Sequence, residues 1–330
     1  MRNAMPNDAI NRRNLVQQLT VGLASPWFAL AQEAPEKLRI GESELEVTFA
    51  GVPFDLPRSD LVQWVRQCAR AVAGYFGRFP VARAGLTIIS REGRQGVAGG
   101  RTWGGGAQGA HTRISVGQHA TAEDLRHDWV LTHEFVHYGF PDVADRHHWI
   151  EEGIATYVEP IARVAIGTQD PATAWFEMLR DMPKGQPQDG DEGLDNTHSW
   201  GRTYWGGAMF CLLADVNIRK STGNRKGLRD ALRAIVAAGG SIEVHWPIER
   251  ALEVGDKAVG GTPLMSLYEQ MAGKPTPVDL NALWRELGVE RRGDRAVFDD
   301  RAPLAAIRRG IMDLPQPSAS RIRMAAPPSS

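Results

Sequence analysis

His133-Glu134-Phe135-Val136-His137 carries the pattern H-E-x-x-H. On a helix, positions i and i+4 lie on one face, so both imidazoles reach a single metal ion with Glu134 beside them. Neutral imidazole is a good Zn²⁺ ligand, and a catalytic zinc site takes three protein ligands and leaves one position open to water. Glu134 then has the place of the general base. Val130, Leu131, Phe135 and Val136 are apolar, as a helix buried beneath a cleft requires. The third ligand lies further on. Phe140 and Val143 occupy the positions of the glycine and last histidine of H-E-x-x-H-x-x-G-x-x-H, which excludes that variant. His147 and His148 fall in a polar connection and read as loop or supporting residues.

Downstream, Trp149-Ile150-Glu151-Glu152-Gly153-Ile154-Ala155-Thr156-Tyr157-Val158-Glu159 resembles the W-x-x-E-G-x-A-x-Y-x-E segment of gluzincins in the thermolysin-like superfamily. It is nearest to the aminopeptidase N and leukotriene hydrolase family and to the glycyl aminopeptidase family. The resemblance implies Glu152 as third zinc ligand, with Glu151 the competing carboxylate by adjacency. The connection from His137 to Glu152 is shorter than in the aminopeptidase N family, and Gly139 and Pro141 within it end the first helix. A second likeness begins at His198: Tyr204 stands where related peptidases carry Y-x-K-G, with Gly206 in place of the lysine. The resemblance implies that Tyr204 donates a hydrogen bond to the oxyanion; a tyrosine packed on a buried helix is the plainer reading. The likeness spans roughly Leu86 to Ala238 and is strongest over 129–159. It implies a zincin catalytic domain, one Zn²⁺ ion and a peptide or protein substrate. The family's G-x-M-E-N motif is absent, so exopeptidase and endopeptidase action both remain open. A catalytically idle peptide-binding zincin and a zinc hydrolase of non-peptide amides or esters are the alternatives.

The elements that must position these residues follow from periodicity. Leu38–Phe49, Leu86–Ile89 and Thr112–Val116 read as strands, with a helix over Ser59–Phe76. Helical spacing then dominates over Ala122–Tyr138, Trp149–Ile166, Pro171–Met182, Tyr204–Lys220, Gly227–Ala238 and Asn281–Leu287. Strands first and helices afterwards predict an α+β domain over 32–314, strand-rich over 38–117 and helical over 122–314. Polar, Gly- and Pro-containing Pro183–Ser199 reads as a long loop, a candidate lid. Residues 93–109 hold eight glycines and read either as a mobile loop beside the cleft, lined by Trp103, or as a plain hairpin tip. Trp149, Trp200 and Trp205 are expected to flank the site.

Composition removes other classes. Lys+Arg number 38 against 39 Asp+Glu, so no basic excess drives nucleic-acid binding. Residues 1–31 read as an export signal: Arg12-Arg13, a modest apolar run from Leu15 to Leu30, and a small-x-small site at Ala29-Leu30-Ala31. The paired arginines resemble a twin-arginine signal and imply a periplasmic or secreted destination. The run is too short and too polar for a permanent membrane span. Pro315–Ser330 reads as a disordered tail. Cys68 and Cys211 sit on apolar helix faces and read as buried thiols rather than a disulfide.

Overall fold

Burial alternates residue by residue along the strands, and this sets the two faces of the sheet. The structure, a computed structural model, describes residues 34–105 and 109–313; the expected export signal and C-terminal tail lie outside the described residues. Its first half comprises β1 (Glu36–Ile40), β2 (Ser43–Ala50), α1 (Arg58–Phe76), β3 (Arg83–Arg91), β4 (Val97–Trp103) and β5 (Ala110–Gly117). The run expected as one strand over Leu38–Phe49 is a hairpin. Gly41 takes the left-handed conformation (φ 63°), and Ile40 pairs with Ser43 across the turn. The five strands lie in the order β1-β2-β3-β5-β4. β2, β3 and β5 are mutually parallel, while β1 and β4 run antiparallel at the two edges. One face, with Leu45, Val47, Leu86, Ile88, Ile114 and Val116, shares a core with Leu61, Val65, Ala69 and Val72 of α1. Each fully buried Leu, Ile or Val among them stabilises by about 1.5–3 kcal/mol relative to exposure. The other face is polar, with Thr48, Thr87 and His111 linked across β2, β3 and β5 by contacts of 3.1 and 3.0 Å.

The second half holds α2 (Ala122–His127), α3 (Val130–Val136), α4 (His148–Ala165), α5 (Pro171–Asp181), α6 (Gly207–Thr222), α7 (Leu228–Ala237), α8 (Ile248–Val259), α9 (Pro263–Met271), α10 (Leu280–Leu287) and α11 (Ala305–Met312). Three of these, α8, α9 and α11, were not expected. Nor was the hairpin of β6 (Val289–Arg292) and β7 (Arg295–Phe298), which interrupts the helical half. The helix expected over Ala122–Tyr138 is two helices. Asp128 turns extended between them (ψ 135°), and its carboxylate accepts from the Val130 and Leu131 N–H groups at 3.0 and 3.1 Å. An acidic cap on the first N–H groups starts a new helix more favourably than the old one continues.

Pro183–Ser199 is a fastened wall rather than a free lid. Leu194 is fully buried, and the Leu194 and Asp195 N–H groups donate to the Met271 and Ala272 carbonyls at 3.0 and 2.9 Å. Arg202 closes the segment with a buried ion pair to Asp191 at 2.7 Å. Cys68 and Cys211 are free and buried, and burial pushes both thiols up. Among the described residues, no helix is long and apolar enough to cross a membrane.

Helices α4 and α6 cross at backbone contact. A Cβ on Gly153 would stand 2.4 Å from the Gly207 Cα. Below the crossing, the Tyr157 hydroxyl donates to Asp215 at 2.9 Å, and Asp215 also accepts from Arg219 Nε at 2.7 Å. Gly153→Ala is therefore expected to lower the unfolding free energy by about 1–3 kcal/mol through forced separation of the helices. Urea unfolding measures it, and an unchanged midpoint contradicts the close packing.

Candidate metal centre

Helix α3 delivers His133 and Glu134, and the 3-10 turn that follows (His137–Gly139) delivers His137. Glu152 comes from the second turn of α4, packed against α3. Its Oε2 lies 3.1 Å from His133 Nε2 and 3.7 Å from His137 Nε2, and the three candidate ligand atoms all fall within 4.8 Å of one another. Tetrahedral zinc with bonds of about 2.0–2.1 Å separates its ligand atoms by ~3.3 Å. The spacing and the donor set, two imidazoles and one carboxylate, both fit a zinc ion with one position open to water.

The electrostatics favour the same species. Burial depresses the His137 pKa to about 4 and keeps the ring in its neutral, metal-binding form. Burial alone would raise Glu152, yet hydrogen bonds to His133 and His148 outweigh it and hold the carboxyl well below the usual range. His148, the first residue of α4, lies 3.3 Å from Glu152 Oε1 and 3.1 Å from Glu151 Oε2. It thereby leaves the other Glu152 oxygen aimed at the two histidines. Glu151, the competing carboxylate, is engaged by His148 and by the Val143 backbone, outside the ligand group.

Glu134 stands beside the cluster, only 7% exposed, with Thr102 Oγ1 of β4 at 2.7 Å from its Oε2. Thr102 in turn meets Thr112 at 2.9 Å, and Thr112 meets the Tyr138 hydroxyl at 2.7 Å. Burial raises the Glu134 pKa and the Thr102 hydrogen bond offsets part of the rise. A carboxylate moved toward neutrality is a better proton acceptor. Gly100 makes room for it, because a Cβ there would lie 2.6 Å from Glu134 Cγ. Nothing in the sequence marked Thr102, since its contact depends on strand β4 passing over α3. The glycine-rich stretch itself is thus neither a mobile loop nor a hairpin tip at its centre: residues 97–103 are the edge strand beside the site. Trp103 ends that strand, its ring 4.9 Å from His111.

Tyr204 lies in a π-helical segment, Gly201–Gly206, that leads into α6. The widened turn faces its ring toward His133, stacked at 6.2 Å, with Trp200 stacked 5.8 Å away on Tyr204. Burial, then the charges of Glu152 and Glu134, push its pKa up to about 12, so the hydroxyl keeps its proton. Trp200 is 59% exposed. Trp149 does not line the site. It is buried, and its indole N–H donates to Asp195 at 2.7 Å, where His147 Nδ1 (2.9 Å) and the Tyr268 hydroxyl (3.1 Å) also meet. That knot ties the start of α4 to the 183–199 wall and α9. Trp129, unmarked in the sequence, stands edge-on to His133 at 5.6 Å and is half-exposed.

No protein-family model and no curated protein matches the sequence. Solved structures do resemble it. A protein of the aminopeptidase N family from Idiomarina loihiensis superposes with a TM-score of 0.58 at 11% identity, over 78% of this chain and 49% of that one. An M1 zinc metallopeptidase from Deinococcus radiodurans gives 0.46 at 16% identity, over 74% of this chain and 53% of that one. Yeast LTA4 hydrolase in complex with bestatin gives 0.45 at 16% identity, over 74% and 40%. The chain thus spans about half the length of these structures. With a mixed sheet first, helices after it and a His-His-Glu group between them, the chain has the fold of the catalytic domain of aminopeptidase N family proteins.

Proposed function

We propose that this protein is an exported zinc peptidase of the gluzincin kind, holding one Zn²⁺ through His133, His137 and Glu152. The observation that carries the reading is the convergence of those three side chains with Glu134 and Tyr204 on one buried site. When bound, zinc supplies Lewis acidity, lowering the pKa of a water and polarising a carbonyl. Glu134, steadied by Thr102, takes the proton of the attacking water and passes it to the leaving amine. Tyr204, protonated throughout the neutral range, donates a hydrogen bond to the oxyanion. Trp129, edge-on to His133, and Trp200, stacked on Tyr204, present partly exposed aromatic surface beside the site. Export is supported by the basic, apolar and small-residue pattern of residues 1–31.

Digestion of a broad peptide library by the zinc-loaded protein tests the reading, and the cleavage positions separate exopeptidase from endopeptidase. Binding without cleavage supports an idle peptide binder, and cleavage of esters or amides alone supports a non-peptide hydrolase. Tyr204→Phe is expected to lower kcat by about 10²–10³ with KM little changed, because the lost hydrogen bond forms only as charge develops. Unchanged kcat removes Tyr204 from the mechanism.

A further inference from the structure

The polar face of the sheet carries cations in two different states. On β1, Lys37 is answered by Glu44 and Glu46 of β2, at 3.4 and 3.1 Å. At the opposite edge, Arg101 of β4 stands directly across from Arg113 of β5, and like charges in that position repel. Arg91, at the end of β3, completes the group, its Nε donating to Ser115 at 3.1 Å. Among the described residues, none of these three arginines has an ion-pair partner. Together with Ala98, Gly99, Gly100 and Ser115 they line an open depression of about 320 Å³, with no acidic residue in its lining among the described residues. Gly99 opens onto this space: a Cβ there would meet nothing within 4 Å. Arg113 is steadied over the Trp103 ring at 5.8 Å, so part of its orientation is held by packing.

The depression adjoins the metal centre through a single strand. Among the described residues β4 ends the sheet, and no strand pairs with its outer backbone edge. Its residues alternate: Gly100 and Thr102 face Glu134, while Gly99, Arg101 and Trp103 face the arginine side. An extended chain pairing with this edge alternates in the same way. Side chains on one of its faces pass the His133–His137–Glu152 group, and those on the other face pass Arg101, Arg113 and Arg91.

We infer that the protein takes extended peptides with carboxylate side chains at alternate positions, bound by strand addition to β4 with the carboxylates on Arg91, Arg101 and Arg113. This rests on the peptidase reading for the place of cleavage, although the docking itself needs no chemistry. Arg101 and Arg113 act as specificity determinants: carboxylates of the added chain that lie over this face offset their mutual repulsion.

The test uses the full chain carrying Glu134→Gln, loaded with zinc, and a fluorescein-labelled peptide alternating Glu and Ala against its Gln-Ala twin, read by anisotropy. The acidic peptide is expected to bind about tenfold more tightly, a preference that shrinks as salt is raised. Arg101→Glu with Arg113→Glu should abolish the preference while zinc content stays at the parent level, and Arg113→Gln alone should reduce it. Equal binding of the two peptides, or a preference that survives the double reversal, overturns the inference. Preferential binding of the acidic peptide that the unmutated, zinc-loaded protein fails to cleave upholds the docking surface and defeats the peptidase reading instead.

Discussion

Glu134→Gln is expected to leave the metal bound and to reduce peptide turnover by about 10²–10⁴. Glutamine matches glutamate in size and can still accept from Thr102 Oγ1, which lies 2.7 Å from the native carboxylate. What it loses is the capacity to take a proton. Glu134 is beside the ligand group and not within it, so zinc content should match the parent protein. Metal analysis with single-turnover kinetics on the same preparation checks both halves. Loss of zinc would make Glu134 a ligand, and full activity would require another base.

Glu152→Ala is expected to do the opposite and remove the metal itself. The three candidate ligands come from α3, the 3-10 turn that continues it, and α4, which meet only in the folded chain, and Glu152 is the ligand that α4 contributes. Losing a partner that merely orients a ligand typically costs about 10–100-fold in metal affinity, so losing the ligand should cost more, on the order of a thousandfold. A second readout needs no substrate. A ligand that binds the folded state alone stabilises it by about 2.7 kcal/mol at a hundred times its Kd, so added zinc should raise the Tm of the parent and leave that of Glu152→Ala unmoved. An equal zinc-induced rise in both proteins would move the third ligand elsewhere.

How much of this was legible depends on the range over which each feature is encoded. His133, Glu134 and His137 lie within about one helical turn, and the geometry of that turn places them whatever surrounds it. The helices of Trp149–Ile166, Pro171–Met182 and Gly227–Ala238 appear within a residue or two of the expected bounds, because their apolar spacing is strong. The break at Asp128 was hidden, since apolar residues continue through it and only the carboxylate's capping of Val130 and Leu131 ends one helix and starts another. The hairpin at Gly41 was hidden likewise, because alternation continues across a tight turn. The glycines of 93–109 looked like loop material, yet 97–103 form a strand. Glycine is needed at 100 because Glu134 stands where a side chain would go.

The sequence by itself determined the metal-binding pattern, the order of strands before helices and the apolar faces, because each is written in residues within a few turns of one another. Only the tertiary structure decided which carboxylate of the Glu151–Glu152 pair turns toward His133 and His137, and that Thr102 and Tyr204 stand against the same site. It likewise decided that Arg91, Arg101 and Arg113 share one face beside it. These contacts join residues tens of positions apart, and their distances depend on strand register and helix crossing. Both are set by packing of the whole core, where a shift of one residue reverses every side chain on a strand.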